Sequence, residues 1–531
     1  MSFRKCNDAF RQLIERSVEE KMGGLSRRTL LQTGASAIAT GAALSMGVRD
    51  VAAAGDTLTI AYPAAPPAFD PNTGPSAVSP GVQSIFRTLY DPYIVQKPDL
   101  GLAPGVMERF AWNEDKSKIS LTLRNGVKWH DGEPVTVDDV LWNLKRLTDQ
   151  RAPLAPVFAS NKNFKVDGNT ITFDVDPWRA NMMERLTFLG CYLLPQKYYE
   201  QVGAEGFEKQ PIGSGPYMFD GYERGSFLRL KSFKDYWGDK PPFETVVFKF
   251  VTDAPTRIAE IERGSSDVTV DIPYEEYDRL TKKPDIAGAC YPISDVALIF
   301  FNNEGPFSDD NVRKAACLAI DKKAIVERLL HNYAKPLGTL LAPEYKAYDP
   351  NIYEKADPKK AVELLAKSGF STEKPVEFTV QTTRGYKPKD FEVIQAVVQM
   401  WRRVGINANI EVYEIAKHFE LRAQHKLAPA AFYDWGNSSA DPESSLGTAM
   451  ITNSPHSSWK GGQLDAPLKE LFVQKDEAKR LEGYKALDRL ISEKSYILPM
   501  YQYFQPVVMR KGLAFQPHTA GYVMPSLFKK T

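Results

Sequence analysis

The eighteen residues "LRNGVKWHDGEPVTVDDV" (Leu123–Val140) bring together one histidine, four acids and two glycines. His130 beside Asp131, or the pair Asp138-Asp139, has the groups a general base or a metal site needs. The spacing supports neither role. The chain has six histidines, and none of them forms an HxH or HExxH pair. Scaffolding explains the same residues better. Asp131-Gly132 and Glu133-Pro134 are turn chemistry. Thr136 with Asp139 three residues on makes a capping-box pattern. Asp138 and Asp139 then fall in a first helical turn, where the helix dipole favours negative charge.

Other candidate chemistry is equally sparse. The Gly-rich serine in "IGSGPY" (Ile212–Tyr217) lacks G-x-S-x-G spacing, and Pro216 with the following "YMF" reads as a turn into a strand. Cys191, Cys290 and Cys317 are far apart with no CxxC, so a zinc ribbon or thioredoxin-type site is not expected. Buried apolar cysteines are expected, with one disulfide left open. No metal site, cofactor or catalytic residue is expected from these patterns.

The 67 basic residues balance 66 acidic ones, leaving no basic field for nucleic acid. A length of 531 residues exceeds what one core usually supports, so two or more lobes are expected. The first 54 residues read as a leader. Arg27-Arg28 in "LSRRTLLQTG" precedes an uncharged run to Val48, and Ala52-Ala53-Ala54 offers a small-x-small cleavage site. The order resembles a twin-arginine export signal, with Arg27 and Arg28 as its signal residues. Cys6 precedes the apolar run, so no lipid anchor is expected at the cleavage site. The mature protein is then expected free in a bacterial periplasm.

The elements follow from periodicity. "DTLTIAYP" alternates like a strand, and "KISLTLRNGVKW" alternates, turns at Asn125-Gly126 and resumes, which predicts a β-hairpin. Val137, Val140, Leu141, Leu144 and Leu147 share one helical face. Strands are expected at Thr170–Val175, Leu228–Ser232 and Thr245–Val251, giving this half an α+β character. The second half alternates helices and strands. "DPKKAVELLAKSGF" is a helix capped by Asp357, followed by strand "VEFTVQT", helix "DFEVIQAVVQMWRRVG", strand "INANIEVYEI", helix "KHFELRAQHK" and strand "AAFYDW". That order marks a parallel α/β sheet. Ligands bind such sheets in loops leaving the carboxyl ends of strands, here "TRGYKPKD" and "GNSSADPESS". Arg384 is a candidate cation for a ligand carboxylate or phosphate, against the plain alternative of a solvated loop charge.

"LAPGVMERFAW…ISLTLRNGVKWHDGEPVTVDDVLW" (Leu102–Trp142) resembles the signature of the periplasmic peptide-, opine- and nickel-binding proteins of ABC importers. Further matches in the same order are "PIGSGPYMF", "YWGDKPPFETVVFKFVTDAPTRIAEIERGSSDV", "FNNEGPFSDDNVRKAACLAIDKKAIV" and "ILPMYQYF". The resemblance spans essentially the whole mature chain. It implies an α/β, two-lobed periplasmic-binding-protein fold of type II, of the large class with an extra β-rich subdomain and a hinge between the lobes. Lobe I would comprise residues 55–90, an extra subdomain at 91–210, residues 211–294 and a return at 495–531, with lobe II at 295–494.

The family's Trp-centred ligand loop falls on "DWGNSSADPE", which nominates Trp435, Asn437 and Ser438, with Tyr433, Arg384 and Ser79 also expected at the ligand. One departure matters. Peptide-binding members carry an aspartate three residues after the loop tryptophan, where it pairs with the peptide α-amino group; here that position is Ser438. Asp441 lies nearby, but its Asp-Pro context matches the loop-closing turn. An opine or sugar conjugate therefore rivals the peptide as expected ligand. The implied function is the periplasmic binding component of an ABC importer, a monomer that closes on its ligand and docks on permease subunits. A periplasmic hydrolase and a metal-chelate or haem carrier are the alternatives.

Overall fold

The computed structural model describes residues 56–72, 80–150, 154–188, 190–436, 439–454 and 456–531. Arg27, Arg28, the cleavage site near Ala54, Ser79, Asn437 and Ser438 lie outside the described residues. Among the described residues no helix is long and apolar enough to cross a membrane.

Two long strands, Ile286–Phe301 and Ile497–Arg510, run antiparallel through the middle of an eleven-stranded sheet. Nine residues in succession, Ile293 to Phe301, are buried in the first of them. Burial on both faces suits the continuous apolar run "VALIFF" better than alternation would. The pairing of the two strands shifts register between Pro292 and Val296 and again between Ala297 and Leu298. Bulges of this kind bend a strand pair.

On one side of these strands lie Val268–Val270, Thr57–Tyr62, Thr245–Phe250, Phe227–Ser232 and Tyr217–Glu223. On the other lie Ala430–Gly436, Val376–Thr382 and Ile406–Val412, which pair in parallel with one another. The parallel α/β order predicted for the second half is therefore present, with Asp357 capping its helix through the Lys360 amide at 2.9 Å. A separate four-stranded antiparallel sheet, Met107–Trp112, Lys118–Leu123, Thr170–Val175 and Asn161–Asp167, stands apart from the main one.

The predicted hairpin at Asn125-Gly126 is not formed. Lys118–Leu123 already has a neighbour on each edge, Met107–Trp112 and Thr170–Val175, so no ladder remains for the chain that follows. Gly126 does turn, at φ 78°. Residues 127–135 then fold on themselves, with the Val135 amide on the Val127 carbonyl at 2.9 Å.

Thr136 and Asp139 make the expected reciprocal cap of helix Val137–Thr148. The Thr136 amide donates to Asp139 Oδ2 at 2.9 Å, and the Asp139 amide donates to Thr136 Oγ1 at 3.2 Å. His130 acts as a clamp. Its Nδ1 accepts from the Gly213 amide at 3.2 Å, and its Nε2 donates to the Gly215 carbonyl at 3.0 Å. Both ring nitrogens are thereby committed to backbone, so the ring cannot activate the buried Ser214 between them. The glycines are needed because a Cβ at Gly213 would stand 2.1 Å from the Leu89 carbonyl oxygen. Cys191, Cys290 and Cys317 are all unpaired thiols, Cys191 completely buried, so the disulfide left open in the sequence is absent.

Burial lowers the His130 pKa to about 4, with the Gly215 hydrogen bond opposing the shift. A histidine shifted downward contributes stability that is complete above its unfolded pKa, roughly 6.5, and lost as pH falls through the folded value. Ring 15N shifts should therefore hold the neutral Nε2–H form down to about pH 4. His130→Ala, which orphans the Gly213 amide and the Gly215 carbonyl, should cost about 1–3 kcal/mol in denaturant unfolding at neutral pH.

Candidate ligand-binding site

The loop leaving strand Val376–Thr382 is wound around one carboxylate. Asp390 Oδ2 accepts from Thr383 Oγ1 at 2.7 Å and from the Tyr386 amide at 3.1 Å, and Oδ1 accepts from the Gly385 amide at 2.9 Å. This winding sends Lys387 inward and Arg384 outward. The Lys387 ammonium is 2.6 Å from Asp295 Oδ2 and 2.9 Å from Asp434 Oδ2. It therefore ties together the first long strand, the end of strand Ala430–Gly436 and the loop itself. Burial disfavours its charge, but Asp295 and Asp434 together hold its pKa well above the ordinary lysine value. Burial, reinforced by Asp434, holds the Asp295 carboxyl above the ordinary range despite Lys387.

Two carboxylates on one ammonium leave an excess negative charge. Asp271 adds to it: it is open to solvent, yet the protein crowded around it raises its pKa, with Asp295 contributing and Arg257 and Lys387 opposing. Arg384 stands on the same loop as Lys387, exposed, with its guanidinium 3.8 Å above the Phe391 ring. It has no carboxylate partner among the described residues. One loop thus carries an unpaired cation next to an excess of acid.

Trp435 and Tyr433 lie on the opposite face of strand Ala430–Gly436 from Asp434, and both are buried. Trp435 Nε1 donates to the Ser444 carbonyl at 3.1 Å. The Tyr433 ring stacks on Phe300 with centroids 4.2 Å apart, and its hydroxyl is 3.0 Å from Ser458 Oγ. These two side chains form the floor under the loop and fix where residue 436 leaves the strand. Asp295 Oδ1 lies so close to Gly436 that a Cβ there would meet it at 2.5 Å. The acid excess therefore abuts the start of the loop that contains residues 437 and 438.

The far end of that loop is held by residues far away in the chain on either side. Asp441 is gripped by Arg480 through both guanidinium nitrogens and accepts from the Glu443 amide at 2.9 Å, the turn its Asp-Pro context implied. Glu443 Oε1 is 3.3 Å from Arg179 and 3.3 Å from Arg185, and Asn181 Nδ2 donates to Ser444 Oγ at 3.1 Å. Burial raises the Glu443 pKa, with Arg185 the main opposing charge. Nearby, Lys116 donates to the Lys475 carbonyl and Lys475 to the Asp115 carbonyl, each at 2.8 Å. A cavity of about 330 Å³ lies along this seam, lined by Trp112, Trp178, Lys346 and Lys475 among others. Among the described residues no group of three His, Cys, Asp or Glu side chains is placed to hold a metal ion.

Sequence reasoning nominated Arg384, Trp435 and Tyr433 but passed over Lys387, Asp295, Asp434, Arg179 and Arg185. Lys387 stands in the nominated loop, and Asp434 stands between the two nominated aromatics. Strand alternation alone would have placed Asp434 opposite them.

Residues 101–455 match the family described as bacterial extracellular solute-binding proteins, family 5 Middle. The chain is 25% identical over 470 residues to Di/tripeptide-binding protein 1 of Pseudomonas aeruginosa (strain UCBPP-PA14), covering 82% of this chain and 87% of that protein. It is 24% identical over 473 residues to Heme-binding protein A of Haemophilus influenzae, covering 83% and 84%. The dipeptide-binding protein from Pseudoalteromonas sp. SM9913, solved in complex with Met-Leu, superposes with a TM-score of 0.78 at 21% identity, over 90% of this chain and all of that one. The fold is thus the two-lobed type II architecture, and the chain belongs to the family 5 bacterial extracellular solute-binding proteins.

Proposed function

We propose that this solute-binding protein captures a peptide-like zwitterion between its lobes and hands it to the permease subunits of an ABC importer. The observation that carries this reading is the charge pattern at the ends of two adjacent parallel strands. Asp295, Asp434 and Lys387 leave an acid excess beside residue 436, and exposed Arg384 stands unpaired on the neighbouring loop. The acids suit a ligand ammonium and the guanidinium suits a ligand carboxylate. Ser438 then need not carry the acid found in peptide-binding relatives, because Asp434 and Asp295 supply it from below.

Asn437, Ser438 and Ser79 complete the proposed contacts, with Trp435 and Tyr433 setting the floor. Binding without chemistry is enough for this role. Ligand contact with both lobes favours the closed form, and that differential affinity is what the hinge responds to. Export through Arg27-Arg28, cleavage near Ala54, a soluble periplasmic monomer and residues 91–210 as an extra subdomain belong to the same proposal.

Thermal unfolding of residues 55–531 against di- and tripeptides, opines and oligosaccharides tests the ligand class. A ligand at ~100 times its dissociation constant adds roughly 2.7 kcal/mol, enough to move the midpoint by some degrees. The expected result is a shift with peptides; a shift confined to oligosaccharides would overturn the zwitterion reading. Arg384→Ala should weaken peptide binding about tenfold or more by calorimetry while leaving the unfolding midpoint of the free protein unchanged.

Asp434→Asn should weaken binding of a peptide more than of its N-acetylated form, because only the former brings an ammonium. Trp435→Ala should cost about 3–5 kcal/mol of stability through the lost core packing. A binding defect in that variant therefore carries no information about ligand contact.

A further inference from the structure

Arg87, on helix Pro80–Leu89, is only 8% exposed, yet no carboxylate faces it. Its Nη2 donates to the Thr187 carbonyl and, at 3.4 Å, to the Tyr522 hydroxyl. Its guanidinium carbon lies 4.5 Å from the Tyr522 ring centroid and 6.0 Å from that of Tyr192. Nε is buried without a partner, and Nη1 makes no hydrogen bond to any described residue.

The titratable groups around it are neutral at pH 7. Burial pushes the Cys191 thiol up to about 12 and holds the Tyr192 hydroxyl far above its ordinary value. His518 is lowered to about 4, by burial first and by Arg87 itself second.

Other buried or half-buried guanidiniums among the described residues have a carboxylate or several carbonyls for partners. Arg480 has Asp441, and Arg146 has Asp70 at 2.7 Å. Arg257 is held by four backbone carbonyls at 2.7–3.3 Å. A structural account of Arg87 would make it a cap on helix Met182–Phe188, whose carboxyl end includes Thr187. A helix end carries only about half a charge, and one carbonyl leaves the other donors unmet. A buried charge left so poorly compensated costs several kcal/mol.

The place of Arg87 suggests what compensates it. Tyr522, against which the guanidinium lies, forms a small apolar cluster with Leu100 and Ala520, and Ala440 of the lobe II loop packs on that cluster. Arg87 is thus one side chain removed from the line along which the lobe II loop meets lobe I.

We propose that Arg87 is the lobe I anchor for an anionic group of the ligand, so that the protein selects peptide-like molecules bearing a second acidic group. This rests on the peptide-like reading above, with Arg384 taking the first carboxylate. An acid meeting Nη1 would supply a missing hydrogen bond and the counter-charge that the buried guanidinium lacks. It would also couple selection to closure, because a ligand held by Arg87 on one lobe and by Arg384 and Asp434 on the other can make all its bonds only when the lobes meet.

Calorimetry with Ala-Glu and Ala-Gln, which differ only in the charge of one terminal group, tests the assignment. The wild-type protein should bind Ala-Glu at least tenfold more tightly. Arg87→Gln should bring the two peptides within about twofold, and Arg87→Lys should retain part of the preference. Equal affinities in the wild type, or a preference that survives Arg87→Gln, would overturn the proposal. If neither dipeptide binds, the peptide-like reading fails, and thermal shift with glutarate decides on Arg87 separately. A shift present in the wild type and absent in Arg87→Gln supports the anchor; no shift, or an equal shift in both, refutes it. The wild-type comparison needs no variant, so a misfolded Arg87→Gln protein would leave the test intact.

Discussion

The Lys387 ammonium is the point at which three segments of the candidate site meet. Asp295 belongs to the first long strand, Asp434 to the strand that feeds the loop after Trp435, and Lys387 to the loop that carries Arg384. Three charges taken partly out of water are expensive, and the arrangement survives because each carboxylate reaches the same ammonium at hydrogen-bond distance. Its position matters more than its net contribution to stability. Asp295 lies within the first register shift of the long strands, between Pro292 and Val296, where the pairing is already irregular. On the proposed reading, a ligand that adds charge to this cluster acts at the bend itself.

On the proposed reading, the same cluster supplies the acid that position 438 lacks. A carboxylate directed upward from the end of a strand and one on the loop above it can serve one ammonium from different sides. The sequence pattern records only the loop position. Charge balance, in contrast, can be read only when Asp295, Lys387 and Asp434 are seen together, and they are separated by 92 and 47 residues in the chain. Long-range ion clusters leave no local signature, which is why Arg384 was identifiable from its loop and Lys387, three residues on, was not.

Local signals fared well wherever one segment determines its own geometry. Thr136 and Asp139 cap their helix as read, and the strand–helix–strand order from Val376 to Gly436 forms the parallel ladder it predicted. The hairpin at Asn125-Gly126 failed for a reason internal to sheets. Alternation at Ile119, Leu121 and Leu123 shows which face is buried, but not which edges are free, and both edges of that strand were taken by partners farther away. His130 misleads in the opposite way. A histidine beside acids and a buried serine has the outline of a catalytic group, and only the commitment of both ring nitrogens to Gly213 and Gly215 removes that meaning.

Contacts between segments far apart in the chain impose the last constraint. Glu443 with Arg179 and Arg185, and the reciprocal bonds of Lys116 and Lys475, join residues 115–185 to residues 443–475. A binding protein cannot allow such contacts to close it outright, because a form closed in advance excludes the ligand and signals falsely to its permease. Exposed contacts such as those of Lys116 and Lys475 satisfy that limit, since solvent and side-chain entropy reduce polar surface interactions to about 0–1 kcal/mol. Glu443 is different because it is buried, and its two arginines are mostly buried with it. Yet desolvation offsets most of what a buried ion pair gains. On the proposed reading, closure is then left near balance, and a ligand that supplies a few kcal/mol of preference for the closed form controls it.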